Sequence, residues 1–308
     1  MALRESSKSA SARVAIGTAQ LGMNYGVANR TGQPSEAEAH RLVRSAVELG
    51  LDWFDTAAVY GESEAILGRA FAAHGLRNAV SVVSKGRLAE QDPASLRGAV
   101  DASLQRLGLG RLDVWMLHDE RQLSFWDRAC SLEAASLIGE ARVGAFGIST
   151  YSPARAIEAV EGRGFAAVQF PASPMDRRFL RDEVLTRLSR TGAALFARSI
   201  YLQGLCLMDP AEVPGHISRG REAVGTLADF CRTRGIERDR FCLHYVLQRT
   251  RRVGARLVIG VESAEQLGRT ADLAASPPID PALLDEWDVL WPADVDDLVL
   301  PFRWTQTR

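Results

Sequence analysis

Short apolar runs recur along the chain and alternate with longer stretches in which apolar residues return at helical spacing. The runs RVAIG (13–17), LDWFD (51–55), VSVVSK (80–85) and LDVWMLH (112–118) read as strands buried on both faces, because their apolar character is continuous rather than alternating. VGAFGIS (143–149), FAAVQF (165–170), GAALFARS (192–199) and RLVIG (256–260) continue the series to eight. Between them, SEAEAHRLVRSAVELG (35–50) and DPASLRGAVDASLQRLG (92–108) carry a Ser or Asp-Pro start and a Gly stop around an amphipathic core, the marks of helices.

Continuous apolar strands joined by crossover helices predict a parallel sheet covered on both faces. Eight such units with no Pro/Ser/Gly-rich break favour one closed (β/α)8 TIM barrel over a doubly wound sheet. The expected organisation is a flexible polar arm over 1–12, the barrel over 13–277 and a C-terminal extension over 278–308. Residues 207–249 hold more helix than one repeat needs, and both that segment and the tail are candidates to cover the barrel mouth.

Composition narrows the function classes. Lys plus Arg (37) nearly balance Asp plus Glu (38), so no overall field selects nucleic acid. No apolar run reaches the roughly 18 residues that a membrane helix needs, and the polar start lacks a signal-peptide core. Cys130, Cys206, Cys231 and Cys242 are scattered without zinc-ligand spacing, which argues against a metal site or disulfide framework and for a reducing cytoplasm.

In a barrel of this kind chemistry sits at the C-terminal strand ends. The second run ends in Asp55, the third in Lys85 and the fourth in His118, with Tyr60 just after Asp55. Alternation along the strand points His118 inward with Met116 and Val114. Singly each has an ordinary explanation: a turn acid, a solvated lysine, a core histidine, a packing tyrosine. Together they meet around one spot, where a buried Lys85 requires Asp55 as partner. On this reading the Lys85 cation lowers the phenol pKa of Tyr60, which becomes a general acid, while His118 orients a carbonyl oxygen. With no metal-ligand cluster or nucleophile elbow in view, hydride is the expected attacker.

The Asp, Tyr, Lys, His order and spacing resemble those of the aldo-keto reductases, and the resemblance runs from about Val14 to Ala275. It implies a nicotinamide cofactor, NADP(H) or NAD(H), bound without a Rossmann fingerprint, and a small carbonyl or sugar substrate. Ser149 and Thr150 of GIST, with Gln169, would hold the nicotinamide amide; Arg198, Ser199 and Gly204 of RSIYLQGL would wrap the pyrophosphate, with Gly17 and Thr18 on the first loop. Where many relatives put an aromatic ring under the nicotinamide this chain has Arg198, which can stack flat or reach a substrate oxygen or carboxylate. Relatives commonly grip the 2'-phosphate with two cations where Gly260 and Gln266 stand here. Glu262 between them would repel that phosphate, so NAD(H) is expected to serve at least as well as NADP(H) unless Arg269 or Arg256 compensates. Met23 and Tyr25 are divided between packing and the site, Trp115 belongs to the outer core, and Phe125 and Trp126 are expected on the pocket wall. Two other classes stay open at this stage: a catalytically silent, cofactor-sensing subunit, and a metal-dependent lyase or isomerase with Asp55 and His118 as ligands.

Overall fold

A computed structural model describes residues 13–89, 94–291 and 296–304. The expected arm at 1–12 lies outside these, as do 292–295 and 305–308 of the tail. Eight parallel strands close in sequence order: β1 (Val14–Gly17), β2 (Trp53–Asp55), β3 (Ser81–Gly86), β4 (Leu112–Leu117), β5 (Val143–Ser149), β6 (Ala167–Pro171), β7 (Ala194–Arg198) and β8 (Arg256–Gly260). β8 pairs with β1 over Val14↔Leu257 to Gly17↔Gly260, which removes both sheet edges. The strand ends differ from the apolar runs by a residue or two, and His118 falls one residue past β4.

The helices start and stop where local chemistry directs. Ser35 accepts from the Glu38 amide at 3.3 Å while Glu38 accepts from the Ser35 amide at 2.9 Å, a reciprocal cap that launches the helix Glu36–Glu48. Gly50 and Gly108 take φ of 76° and 62° just past the helices Glu36–Glu48 and Ala94–Leu107, a left-handed conformation that a β-carbon would oppose.

Alternation along the strands sorts side chains into two cores. Outward residues such as Phe54, Trp115, Phe146 and Phe170 pack under the helices. Inward residues Ala15, Trp53, Val83, Val114, Met116, Ala145, Ala167, Phe196 and Val258 fill the barrel, so it is a packed core and not a pore. One step of two residues further along, the inward series ends in Gly17, Asp55, Lys85, His118, Ser149, Gln169, Arg198 and Gly260. The polar chemistry of the chain is therefore concentrated in a single layer resting on an apolar plug.

The surplus helix appears as Gly220–Thr233 and Arg238–Arg249 between β7 and β8. In the tail, the helix Pro281–Leu290 is anchored to the loop after β6: Trp287 Nε1 donates to Pro174 O at 2.8 Å, and Asp288 is held by Arg177 and Arg249, both at 2.6 Å. Phe302 meets Tyr151, just past β5, edge-on at 5.3 Å. The tail thus lies against loops at the C-terminal face of the barrel.

Candidate active site

Tyr60 owes its place to two close backbone crossings. Thr18, fully buried, donates its amide (3.0 Å) and hydroxyl (2.9 Å) to Asp55 O, and Ser63 Oγ donates to Thr18 O at 2.8 Å. Gly22 and Gly61 then approach so closely that a β-carbon on Gly22 would lie 1.9 Å from Tyr60 O, and one on Gly61 2.2 Å from Gly22 O. Only glycine fits at Gly22, and Gly61 also needs its φ of 54°. The segment carrying Tyr60 is clamped to the first loop before any ligand arrives.

Below it, Lys85 is fully buried and gives Nζ to Asp55 Oδ2 at 2.7 Å and to Thr56 O at 2.8 Å. The other Asp55 oxygen accepts from Gln169 Nε2 at 2.6 Å, and Ser149 Oγ lies 3.5 Å from Gln169 Oε1. Ser149, Gln169, Asp55 and Lys85 therefore form one continuous chain across four strand ends. Burial lowers the Lys85 pKa against the opposing pull of Asp55. An unpaired ammonium there would be costly, so the pair is obligatory.

His118 meets the Tyr60 ring edge-on at 5.5 Å. Burial, then the Lys85 and Arg198 cations, push its pKa down to about 3, so the imidazole is neutral at physiological pH; its Nδ1 has no protein partner. For Tyr60 the expected direction is reversed. Lys85 Nζ is 5.0 Å from the ring centroid, but desolvation by the surrounding protein, then the Asp55 carboxylate, raise the phenol above its ordinary range. The lysine charge is already consumed by Asp55, so it does not draw the Tyr60 proton off.

A cleft of about 330 Å³ opens beside this corner. Asp55, Tyr60 and Arg198 line one part of it, the loop from Ser199 to Gly204 another, and Glu262 and Gln266 a third. Gly17, Thr18 and Tyr25 also line it, which places Tyr25 in the site; Lys85, Ser149 and Gln169 are buried just behind the lining, and His118 is half-buried beside Tyr60. Ser199, Leu202, Gln203 and Gly204 all have positive φ (63°, 48°, 57° and 88°), a run that folds the loop back on itself. A β-carbon on Gly260 would strike Gln20 Nε2 at 2.3 Å, so a side chain there would fill the cleft.

The other expected residues are accounted for individually. The Thr150 hydroxyl is taken by Glu120, whose Oε2 also accepts from the amides of Tyr151 (2.8 Å) and Ser152 (3.2 Å). Trp126 is not a pocket wall: it turns into the outer core, 4.5 Å from Phe165 and 5.9 Å from Phe146 between ring centroids. Trp115 lies in that outer core as expected. Arg198 sits over the Tyr151 ring at 4.3 Å. Tyr151 escaped the sequence reading because it lies past the end of β5, in a loop where strand alternation no longer assigns a direction, two strands from the end of β7. Neither arginine proposed to grip a 2'-phosphate is free for it. Arg269 is bound to Asp239 (2.8 Å) and Glu237 (2.6 Å), and Arg256 opens β8 at the opposite end of the barrel, over Trp53 at 4.1 Å. Among the described residues, no group of three or more His, Cys, Asp or Glu is placed to hold a metal, and no helix is long and apolar enough to cross a membrane.

The arrangement is that of a polar layer at the strand ends beside an open cleft. Gln169 gives Nε2 to Asp55 and its Oε1 accepts from Ser149, so both amide ends of this side chain are engaged within the strand-end layer. The description of the aldo/keto reductase family matches residues 13–292. An aldo-keto reductase of Mycobacterium sp. (strain MCS) is 46% identical over 88 residues, 28% of this chain and 31% of that protein. A 6-dehydroglucose reductase of Novosphingobium aromaticivorans is 31% identical over 156 residues, 45% of this chain and 51% of that one. The chain thus aligns with about a third to a half of the length of these curated relatives. Among solved structures, the holo form of an aldo-keto reductase from Bacillus halodurans superposes with a TM-score of 0.76 at 22% identity, covering 92% of this chain and 93% of that one. A glycerol dehydrogenase from Gluconobacter oxydans gives 0.70 at 22% identity, with the same coverage.

Proposed function

The chain belongs to the aldo/keto reductase family, and on that premise we propose that it moves hydride between a nicotinamide cofactor and the carbonyl carbon of a small aldehyde, ketone or sugar, with Tyr60 as the proton donor. The observation that carries this reading is the convergence of Asp55, Lys85 and His118, from three successive strand ends, on a clamped tyrosine at the edge of an open cleft. The cofactor, when bound, supplies the hydride or accepts it. Ser149 and Gln169, just behind the cleft lining, would hold its carboxamide, and the Ser199–Gly204 loop would hold its phosphates.

Tyr60 keeps its proton at neutral pH because burial and Asp55 both disfavour the phenolate. A carbonyl oxygen gaining negative charge is more basic than a phenolate, so the proton passes to it late and downhill. Neutral His118 orients that oxygen without competing for the proton. The raised pKa sets the sign of the pH dependence: reduction holds through neutrality and falls only in alkali, whereas oxidation, which needs the phenolate, rises into alkali.

Of the two cofactors, NAD(H) is used at least as well as NADP(H). Arg269 is neutralised by two acids, Arg256 is at the other end of the barrel, and Glu262 faces the cleft where a 2'-phosphate would lie. A carboxylate there accepts hydrogen bonds from a ribose hydroxyl and repels a phosphate.

The test is oxidation of NADH by the purified protein over a panel of aldehydes, ketones and aldoses, repeated with Tyr60→Phe. Turnover is expected to fall by about 100-fold or more while the Kd for NADH barely moves. Near wild-type turnover in the variant, with chemistry rate-limiting, sinks the role of Tyr60. A tenfold tighter Kd for NADPH than for NADH, at one ionic strength, sinks the cofactor assignment.

A further inference from the structure

Arg198 is a half-buried cation with no anionic partner among the described residues. It ends β7 facing the barrel axis, lines the cleft with Asp55 and Tyr60, stacks on Tyr151 at 4.3 Å and gives Nη1 to Ser199 Oγ at 3.3 Å. Among the described residues it forms no ion pair. Asp55 is fully matched by Lys85 and His118 is neutral, so this corner carries one uncompensated positive charge. Asp55, Tyr25 and Tyr60 line the same part of the cleft, which places that charge at its reacting end, where it also acts on Lys85 and His118. The guanidinium is also held in place, because Glu120 fastens the Tyr151 amide and so fixes the ring beneath it.

We propose that Arg198 anchors a carboxylate of the substrate, so that the preferred carbonyl compounds are small oxo acids or sugar acids rather than neutral aldoses. The inference rests on the reductase reading and names the substrate class of that site. A guanidinium with one face on an aromatic ring still presents edge N–H groups, and these match the two oxygens of a carboxylate. A phosphate offers similar oxygens with more charge, but Glu262, which forms no ion pair among the described residues, lines the same cleft and opposes a dianion. Stacking on the nicotinamide would use only a face of the guanidinium and leave its charge unanswered.

The experiment compares matched pairs with NADH: 4-oxobutanoate against butanal, D-glucuronate against D-glucose, and glyceraldehyde 3-phosphate against glyceraldehyde. The expected result is a kcat/KM at least about tenfold higher for each carboxylate than for its neutral partner. Arg198→Met should collapse this ratio toward one and Arg198→Lys should restore part of it. Parity in the wild type overturns the proposal, as does a ratio that survives in Arg198→Met. A preference for the phosphate over both carboxylates overturns the choice of anion, and a rise in the NADH Kd with the ratio unmoved reassigns Arg198 to the cofactor. If no carbonyl is reduced at all, calorimetric titration of the protein–NADH complex with 4-oxobutanoate separates the two readings. Binding lost in Arg198→Met keeps the anchor and drops the reductase, and no binding drops both.

Discussion

Two arginines stand at opposite ends of this barrel in nearly the same pose, Arg198 over Tyr151 at 4.3 Å and Arg256 over Trp53 at 4.1 Å. Their surroundings differ. Arg256 opens β8 where Trp53 and Phe196 plug the floor, and Asp52 and Asp113 offset the burial that lowers its pKa. Arg198 closes β7 beside a cleft, among tyrosines and without an acid. The aromatic contact is common to both and so says nothing about role. Among the described residues neither forms an ion pair, and Arg256 Nε and Nη2 are buried without a hydrogen-bond partner, so what separates a structural cation from a binding one here is access to the cleft and not an answering acid. Lys85 marks the limit of the first kind, since its three ammonium hydrogens meet two protein oxygens at 2.7 and 2.8 Å and no solvent.

Lys85→Met should therefore give the largest effect. It leaves Asp55 buried beside Gln169 without its cation, which costs about 3–5 kcal/mol, and reductase turnover should be lost with it. Adding Asp55→Asn removes the orphaned charge, so chemical denaturation should show stability largely recovered while activity stays absent. A Lys85→Met protein as stable as wild type would mean that the pair is not the obligatory element it is taken to be.

Arg256→Met tests the comparison at the other end. Arg256 forms no ion pair among the described residues and its Nε and Nη2 are buried without a hydrogen-bond partner, so removing this desolvated cation should leave the Tm unchanged or higher. The carboxylate-over-neutral kcat/KM ratio should not change. If that ratio moves as much as it does in Arg198→Met, the two arginines act through a shared field and the distinction drawn between them fails.

Much of this contrast was legible in the sequence. The period of two along each continuous apolar run is enough to place Asp55, Lys85, Gln169 and Arg198 in one inward layer, where residues meet across the barrel as Asp55 and Gln169 do. Contacts set by loops or by inserted segments were not legible. Tyr151 reaches Arg198 from the loop past β5, and Arg269 meets Glu237 and Asp239 only because the additional helices before β8 fold against it. The Tyr60 pKa was assigned the wrong sign for a related reason. A sequence reveals a nearby cation but not how much of its charge a partner has already consumed, nor how dry the pocket is. Trp126 was misplaced because the turn after β4 points it to the outer layer, a direction that composition does not encode.

Glu262→Gln probes the adenosine end of the cleft on a smaller scale. Glu262 faces the cleft and its pKa is raised by burial, while its amide donates to Gln266 Oε1 at 2.8 Å. Neutralising the side chain should reduce the preference for NADH over NADPH by up to about tenfold, roughly 1.4 kcal/mol, measured as the ratio of the two Kd values. An unchanged ratio would show that the 2'-position lies elsewhere.

The smallest effect concerns His118 and the stability of the corner in acid. Its folded pKa is pushed down to about 3 by burial, then by Lys85 and Arg198, with Asp119 opposing weakly. In the unfolded chain a histidine titrates near about 6.5. Between those two values the unfolded chain takes up a proton that the folded protein refuses, so stability falls as pH falls through this window and is unaffected by His118 above it. His118→Gln keeps a polar side chain but cannot titrate. Wild type should accordingly lose more thermal stability than the variant between pH 7 and pH 5, by on the order of 2 °C. The sign also separates Arg198 from Lys85 and Arg87, the other cations behind the shift. In Arg198→Met the histidine loses one of its repelling neighbours and should titrate higher, which narrows the window and makes the folded protein less sensitive to acid than wild type. Equal losses in wild type and His118→Gln would mean that the imidazole is solvated in the folded state, and that the corner is wetter than its packing implies.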